Sequence, residues 1–154
     1  MALLVIIVLY TSIGFLAAAG SIFISQKLFS AKAEQIFFGL FFVAIAGFYL
    51  AFTAYFADNG AWRVETGGVI VFAMFGLLGL RLPVVLIIGY LLHGVWDVLH
   101  EIHAHGGDSL FGTRQVTELP LAYGAFCAAY DLRMAAYFYT RRRQWRRAWT
   151  RSTN

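Results

Sequence analysis

Charge is scarce in this chain. Lys, Arg, Asp and Glu make up 13% of its 154 residues, and hydrophobic residues make up 60%. A soluble domain carries about 25% charged residues, so a freely soluble globular protein is excluded and an integral membrane protein is expected. Cysteine is scarcer still, with Cys127 alone. One thiol excludes an intramolecular disulfide and a cysteine-rich zinc or iron–sulfur site. Proline occurs twice, at Pro83 and Pro120. Each is expected in the first turn of a helix, where its missing N–H costs nothing. No solenoid period is visible. The net charge of +4 does not point to nucleic acid, because most of the excess sits in the single run RRRQWRR, residues 141–147.

What is abundant is apolar length. A membrane-crossing helix needs about 20 mostly apolar residues. Five such spans can be drawn, at residues 3–25, 36–57, 61–80, 83–103 and 119–140. The fold class expected is therefore all-α, a bundle of five transmembrane helices forming one domain over 1–154. The first span is expected to be an uncleaved helix rather than a signal peptide. Residues 17–19 are small, but no Lys or Arg precedes the apolar run. The third span is the loosest, since Gly67, Gly68, Gly76 and Gly79 interrupt it. Thr117 is expected to cap the fifth helix, with Pro120 inside its first turn and Glu118 complementing its dipole. Aromatic residues make up 18% of the chain, as expected where Trp and Tyr populate two membrane interfaces. Trp62, Trp145 and Trp149 read as such anchors. Trp96, bordering polar residues, does not.

Orientation follows from charge. With the amino terminus outside, nine Lys/Arg fall inside: Lys27, Lys32, Arg81, Arg141, Arg142, Arg143, Arg146, Arg147 and Arg151. Only Arg63 and Arg114 fall outside. All five spans satisfy the positive-inside rule together in this arrangement. The terminal arginine run serves orientation first and contact with anionic lipid second. Arg133, within the fifth span, is expected to snorkel to the inner interface.

Against this apolar background one stretch stands out, HGVWDVLHEIHAH at residues 93–105. It holds all four histidines, Asp97 and Glu101, and continues directly from the apolar run VVLIIGYLL. Ionisable residues on a buried membrane segment are costly and by default mark a functional site. On a helix with His93 at zero, His100 falls at roughly 340°, Asp97 at 40° and Glu101 at 80°. The opposite side holds Ile88, Leu91, Leu92, Val95, Val98, Leu99 and Ile102, a face suited to lipid. His93 lies roughly 15 Å along the fourth span, and Asp131 roughly 13 Å from the same inner edge on the fifth. Asp131 shares a stripe with Tyr123, Cys127 and Met134, and Gly124 with Ala128 would let another backbone approach. The fourth and fifth helices are expected to pack polar face to polar face.

Three readings of this constellation are open. His93, Asp97 and His100, completed by Glu101, Glu118 or Asp131, have the donor types of a site for Zn, Fe, Mn or Cu, although no HExxH spacing is present. The same groups without metal can act as acid and base or relay protons, with His93, Asp97, His100 and Asp131 as the core and Tyr123 as a hydroxyl donor. They can also merely hydrogen-bond helices together. His103, His105 and Asp108 are expected outside the hydrocarbon, His103 at the end of the fourth span and the other two in the solvated loop 104–117, of a Gly-rich kind that often carries function. Cys127 is expected to be an inert small apolar residue.

HGVWD with its following HE and the later YGAFCAAYD resembles a group of small, uncharacterised bacterial multi-pass membrane proteins. The resemblance covers chiefly the fourth and fifth spans. It implies a bacterial inner-membrane location and transfers no activity to any residue. The function expected is an intramembrane His/carboxylate site opening to the outer side and acting on or binding a small lipophilic substrate from the bilayer. The alternatives are a proton- or metal-transport subunit and an accessory subunit of an oligomer or larger membrane complex.

Overall fold

A computed structural model of the chain describes residues 1–105 and 116–150. Asp108, Arg114 and Arg151 therefore lie outside the described residues, as does most of the loop before the fifth span. The described residues form five helices: α1 (Ala2–Leu28), α2 (Ala31–Tyr55), α3 (Trp62–Gly79), α4 (Pro83–Ala104) and α5 (Tyr123–Thr150). The protein is all-α, and α1 to α4 are each long and apolar enough to cross a membrane. These four helices make it a multi-pass membrane protein in contact with the lipid bilayer. Asp131, Arg133 and the arginine run set α5 apart from them in composition.

Local chemistry explains most helix ends. Ser30 caps α2 by accepting a hydrogen bond from the Ala33 N–H, which starts the helix at Ala31, earlier than apolarity alone suggests. Pro83 occupies the first turn of α4. The start of α5 corrects the sequence expectation. Thr117 is not its cap: the Thr117 N–H donates to Glu65 Oε1 at 2.8 Å, which ties this segment to α3. Ala122 sits in the left-handed region at φ 58°, and the helix begins only after it, at Tyr123. Glu118 is therefore exposed ahead of the helix rather than in its first turn.

The other end of α5 is also corrected, since it continues through the arginine run to Thr150. Trp145 is not an interface anchor but fully buried. Its Nε1 donates to Glu34 Oε2 at 2.8 Å. The same carboxylate accepts from Arg141 Nε at 3.0 Å and Nη2 at 2.7 Å, from Tyr137 OH at 2.5 Å and from Ser25 Oγ at 3.2 Å. Trp149 donates to Gln35 Oε1 at 3.0 Å and stacks under Lys32 and Arg81. A buried carboxylate with this many donors locks the end of α5 onto α1 and α2.

In the bundle, α5 packs along α4 and along α1, α2 packs along α3, and α3 leans on α4, while α1 scarcely touches α2. Three of the α3 glycines, Gly68, Gly76 and Gly79, are contact points rather than weaknesses. A Cβ on Gly76 would lie 2.7 Å from Gly39 O, and one on Gly39 would lie 2.9 Å from Gly76 O, so the two backbones touch. Much of the aromatic content fills the interior rather than the interfaces. Phe42 stacks on Tyr90 at 4.4 Å, Tyr90 meets Phe138 edge-on at 4.9 Å, and Phe138 meets Phe38 at 5.1 Å and Trp145 at 5.2 Å. On α4, His93, Asp97, His100 and Glu101 are buried, and Ile88, Leu91, Leu92, Val95, Val98 and Ile102 are exposed, so the helix turns its ionisable face inward.

Candidate functional site

The site is built where α4 and α5 come closest. A Cβ on Gly124 would lie 2.5 Å from Asp97 O and 2.9 Å from Glu101 Cβ, so only glycine permits this approach. One turn deeper, Gly94 faces Ala128 and Asp131. The close contact carries Asp131 of α5 to His93 of α4. His93 Nδ1 lies 2.7 Å from Asp131 Oδ2 and 3.2 Å from Asp97 Oδ2. Facing two carboxylates, Nδ1 carries the hydrogen and donates. Tyr49, from α2, donates its hydroxyl to the other oxygen of Asp97. His93, Asp97 and Asp131 each offer one ligand-type atom, all within 4.8 Å of one another.

The surroundings are dry. The rings of Phe72, Phe42 and Tyr49 stand edge-on around the His93 imidazole at 4.8, 5.4 and 5.7 Å. His93 and Asp97 are 0% exposed and Asp131 1%. Three polar atoms of the centre make no hydrogen bond: His93 Nε2, Asp131 Oδ1 and Asp97 Oδ2, the last keeping only its 3.2 Å contact with His93 Nδ1. Burying such atoms costs about 1–3 kcal/mol each, more for charged groups, so a centre that leaves three open is poorly explained as glue.

His100 stands apart from this centre. Its Nδ1 lies 2.9 Å from Trp96 O and its Nε2 2.8 Å from Glu65 Oε1. Both ring nitrogens therefore face oxygen atoms, one on its own helix and one on α3. Glu65 also receives the Thr117 N–H, and its Oε2 is buried without a partner. Glu101 pairs with His105 at 2.8 Å and accepts from Ala125 N–H at 3.3 Å, which joins the end of α4 to the start of α5. Glu118 borders a shallow recess with His103 and Leu119 and does not join the centre. Tyr123 lines a cavity with Cys127 and Asp131.

Sequence reasoning therefore brings His93, Asp97 and Asp131 together, wrongly counts His100 with them, keeps Glu101 and Glu118 as a second tier, and misses Tyr49 and Glu65. Glu65 sits at the end of an apolar span, where a charge is cheap and draws no notice. Tyr49 has no such signal, because only the helix packing shows that its hydroxyl meets Asp97.

The cavity beside Asp131 has a volume of about 290 Å³ and lies among α1, α2 and α5. Its walls are mostly apolar, from Ala17, Phe41, Ile45, Phe48 and Phe126, with Asp131, Cys127, Tyr123, Tyr130 and Ser21 supplying the polar atoms. It follows the seam where α1 and α2 barely meet, and so opens sideways.

A family of unknown function, DUF6010, matches residues 11–144, which include every member of the centre and of the Glu65/His100 pair. Comparison with curated proteins and with solved structures yields no match. On a match that spans all five helices, the chain belongs to the DUF6010 family of unknown function.

Proposed function

We propose that the protein holds a proton at the His93/Asp97/Asp131 centre and uses it in acid–base chemistry on, or binding of, a small lipophilic molecule that enters from the bilayer. One observation carries this reading. Two buried carboxylates flank a single imidazole nitrogen, and three polar atoms of the group are left open. The centre is one positive charge short and has free hydrogen-bonding capacity, which suits a group that takes up and gives back a proton. Asp131 and Asp97 are the acid–base pair, His93 orients them, and Tyr49 fixes Asp97. Tyr123, on the cavity wall, is the hydroxyl that meets the substrate. His100 and Glu65, 2.8 Å apart, tie α4 to α3 beside the centre.

The geometry favours a closed site over a conduction path. Tyr90, Met134 and Phe138, all fully buried, fill the interior of the same packed core as Phe38 and Trp145, and among the described residues no chain of carboxylates or imidazoles links the centre to Glu34. In this reading α5 crosses as a fifth span, the amino terminus is outside, and the Arg-rich end of α5 is on the inner face of a bacterial cell membrane.

A second reading rests on the donor set. His–Asp separations of 2.7 and 3.2 Å resemble those between neighbouring ligands of a metal whose bonds are about 2.0–2.2 Å, so Zn, Fe, Mn or Cu would fit with little movement. Against it, His93 Nε2 lacks the acceptor that normally orients a metal-bound imidazole. Elemental analysis of protein purified in mild detergent, after growth with these metals, separates the two. A metal-free protein is expected. One equivalent of metal per chain, lost in Asp97→Asn, would overturn the proton reading in favour of the metal.

A further inference from the structure

The cavity beside Asp131 is a feature whose occupant the acid–base reading leaves undefined. It does not end at Asp131. Ser21, Phe41 and Tyr130 also line a second cavity of about 360 Å³, which continues along α1 and α2 past Phe37 to Leu28. From Ala17 to Leu28 the seam runs roughly 16 Å at 1.5 Å per residue. The result is an elongated apolar slot, open at the α1/α2 seam, with one polar station partway along it. Such a slot suits a single flexible chain rather than a compact ring system.

The polar station selects the head group. Among the described residues lining the two cavities there is no Lys, Arg or His. The charged group there is Asp131, whose Oδ1 is buried without a partner while Oδ2 is held by His93. An orphaned buried acceptor calls for a donor. A hydroxyl or an amine satisfies it, and an amine also supplies the positive charge that the centre lacks. A carboxylate or phosphate would face Asp131 with no basic residue on the cavity walls to offset the repulsion, at a cost that grows in a shielded site.

We propose that the seam binds single-chain amphiphiles with a hydrogen-bond-donating, non-anionic head, a long-chain alcohol or amine, whose head reaches Asp131 Oδ1. This rests on the acid–base reading and names the substrate class for it. The shared chemistry is the donor head, and the two sources differ in charge.

Three photoreactive probes with the same alkyl–diazirine chain, ending in a hydroxyl, an amine or a carboxylate, test this on the full chain in phosphatidylcholine nanodiscs. The alcohol and the amine are expected to label peptides carrying Phe41, Ile45 or Phe126, in competition with dodecanol, and the acid at least tenfold less. Ala17→Phe fills the seam and should abolish this labelling, and Ile45→Trp provides the same block from α2 should the first variant fail to fold. Asp131→Asn should weaken the amine about tenfold and the alcohol less, because Asn still accepts a hydrogen bond. Equal labelling by the acid, or labelling spread over all lipid-facing helices and insensitive to both blocking variants, overturns the proposal. The metal content and the protonation of the centre are read separately, so this result stands or falls apart from theirs.

Discussion

At the scale of single residues, the decisive contrast is between a charged group and its neutral isostere. Asp97→Asn keeps volume and hydrogen-bonding capacity but removes negative charge and proton affinity. If the centre works as an acid–base site, this change abolishes function while the bundle stays folded. If Asp97 only bridges helices, the change is nearly silent, since an interhelical hydrogen bond in a membrane is worth about 1 kcal/mol or less. Thermal unfolding of the detergent-solubilised variant beside the parent, with the cellular phenotype, distinguishes them. Tyr49→Phe is the complementary test. It leaves a buried carboxylate oxygen without its donor and is expected to lower stability by about 1–3 kcal/mol. A Tyr49→Phe protein as stable as the parent would mean that the Tyr49–Asp97 bond is not made. Helical spacing put Asp97 beside His93, and matching depth on the next span put Asp131 opposite them, because ionisable groups on apolar helices have few places to go. They could not place Tyr49, whose ring is at home anywhere in a membrane.

At the scale of elements, the joint between α2 and α5 is a firm one. Glu34 is 0% exposed and answers Arg141, Trp145, Tyr137 and Ser25. Glu34→Ala leaves Trp145 Nε1 and Tyr137 OH without their acceptor, at about 1–3 kcal/mol for each buried group, so it should lower the thermal midpoint markedly, with limited proteolysis cutting first after the Arg141–Arg143 run. An unchanged midpoint would show that α5 is held by other contacts. Helix existence was legible from apolar length, and helix ends were less so. Apolarity stops α5 at the first arginines, but a helix can continue wherever one face finds a partner, and Trp145 finds Glu34. Thr117 looked like a cap because threonine often is one, yet a buried carboxylate on α3 binds its N–H more strongly than a helix start would use its hydroxyl. The α3 glycines looked like weak points in isolation. Opposite Gly39, Gly76 becomes the place where two backbones touch, while Gly68 and Gly79 make room for Trp96 and Leu86.

At the scale of the whole molecule, the bundle is asymmetric in chemistry. One end is closed by a fully paired carboxylate, Glu34, and the middle holds a centre with three open polar atoms. The positive-inside argument adds an orientation, and a reporter fused after Asn154 should be active only in the cytoplasm. Activity in the external compartment alone would reverse the bundle. The central claim is that Asp97, Asp131 and His93 together hold a proton in a dry site. Infrared spectroscopy of the metal-free protein in nanodiscs tests it most directly, because a protonated carboxyl has a C=O band distinct from that of a carboxylate. The account predicts such a band at neutral pH, shifted by deuterium slowly and removed by either Asp97→Asn or Asp131→Asn. Its absence from the metal-free parent, or its survival unchanged in both variants, would contradict it.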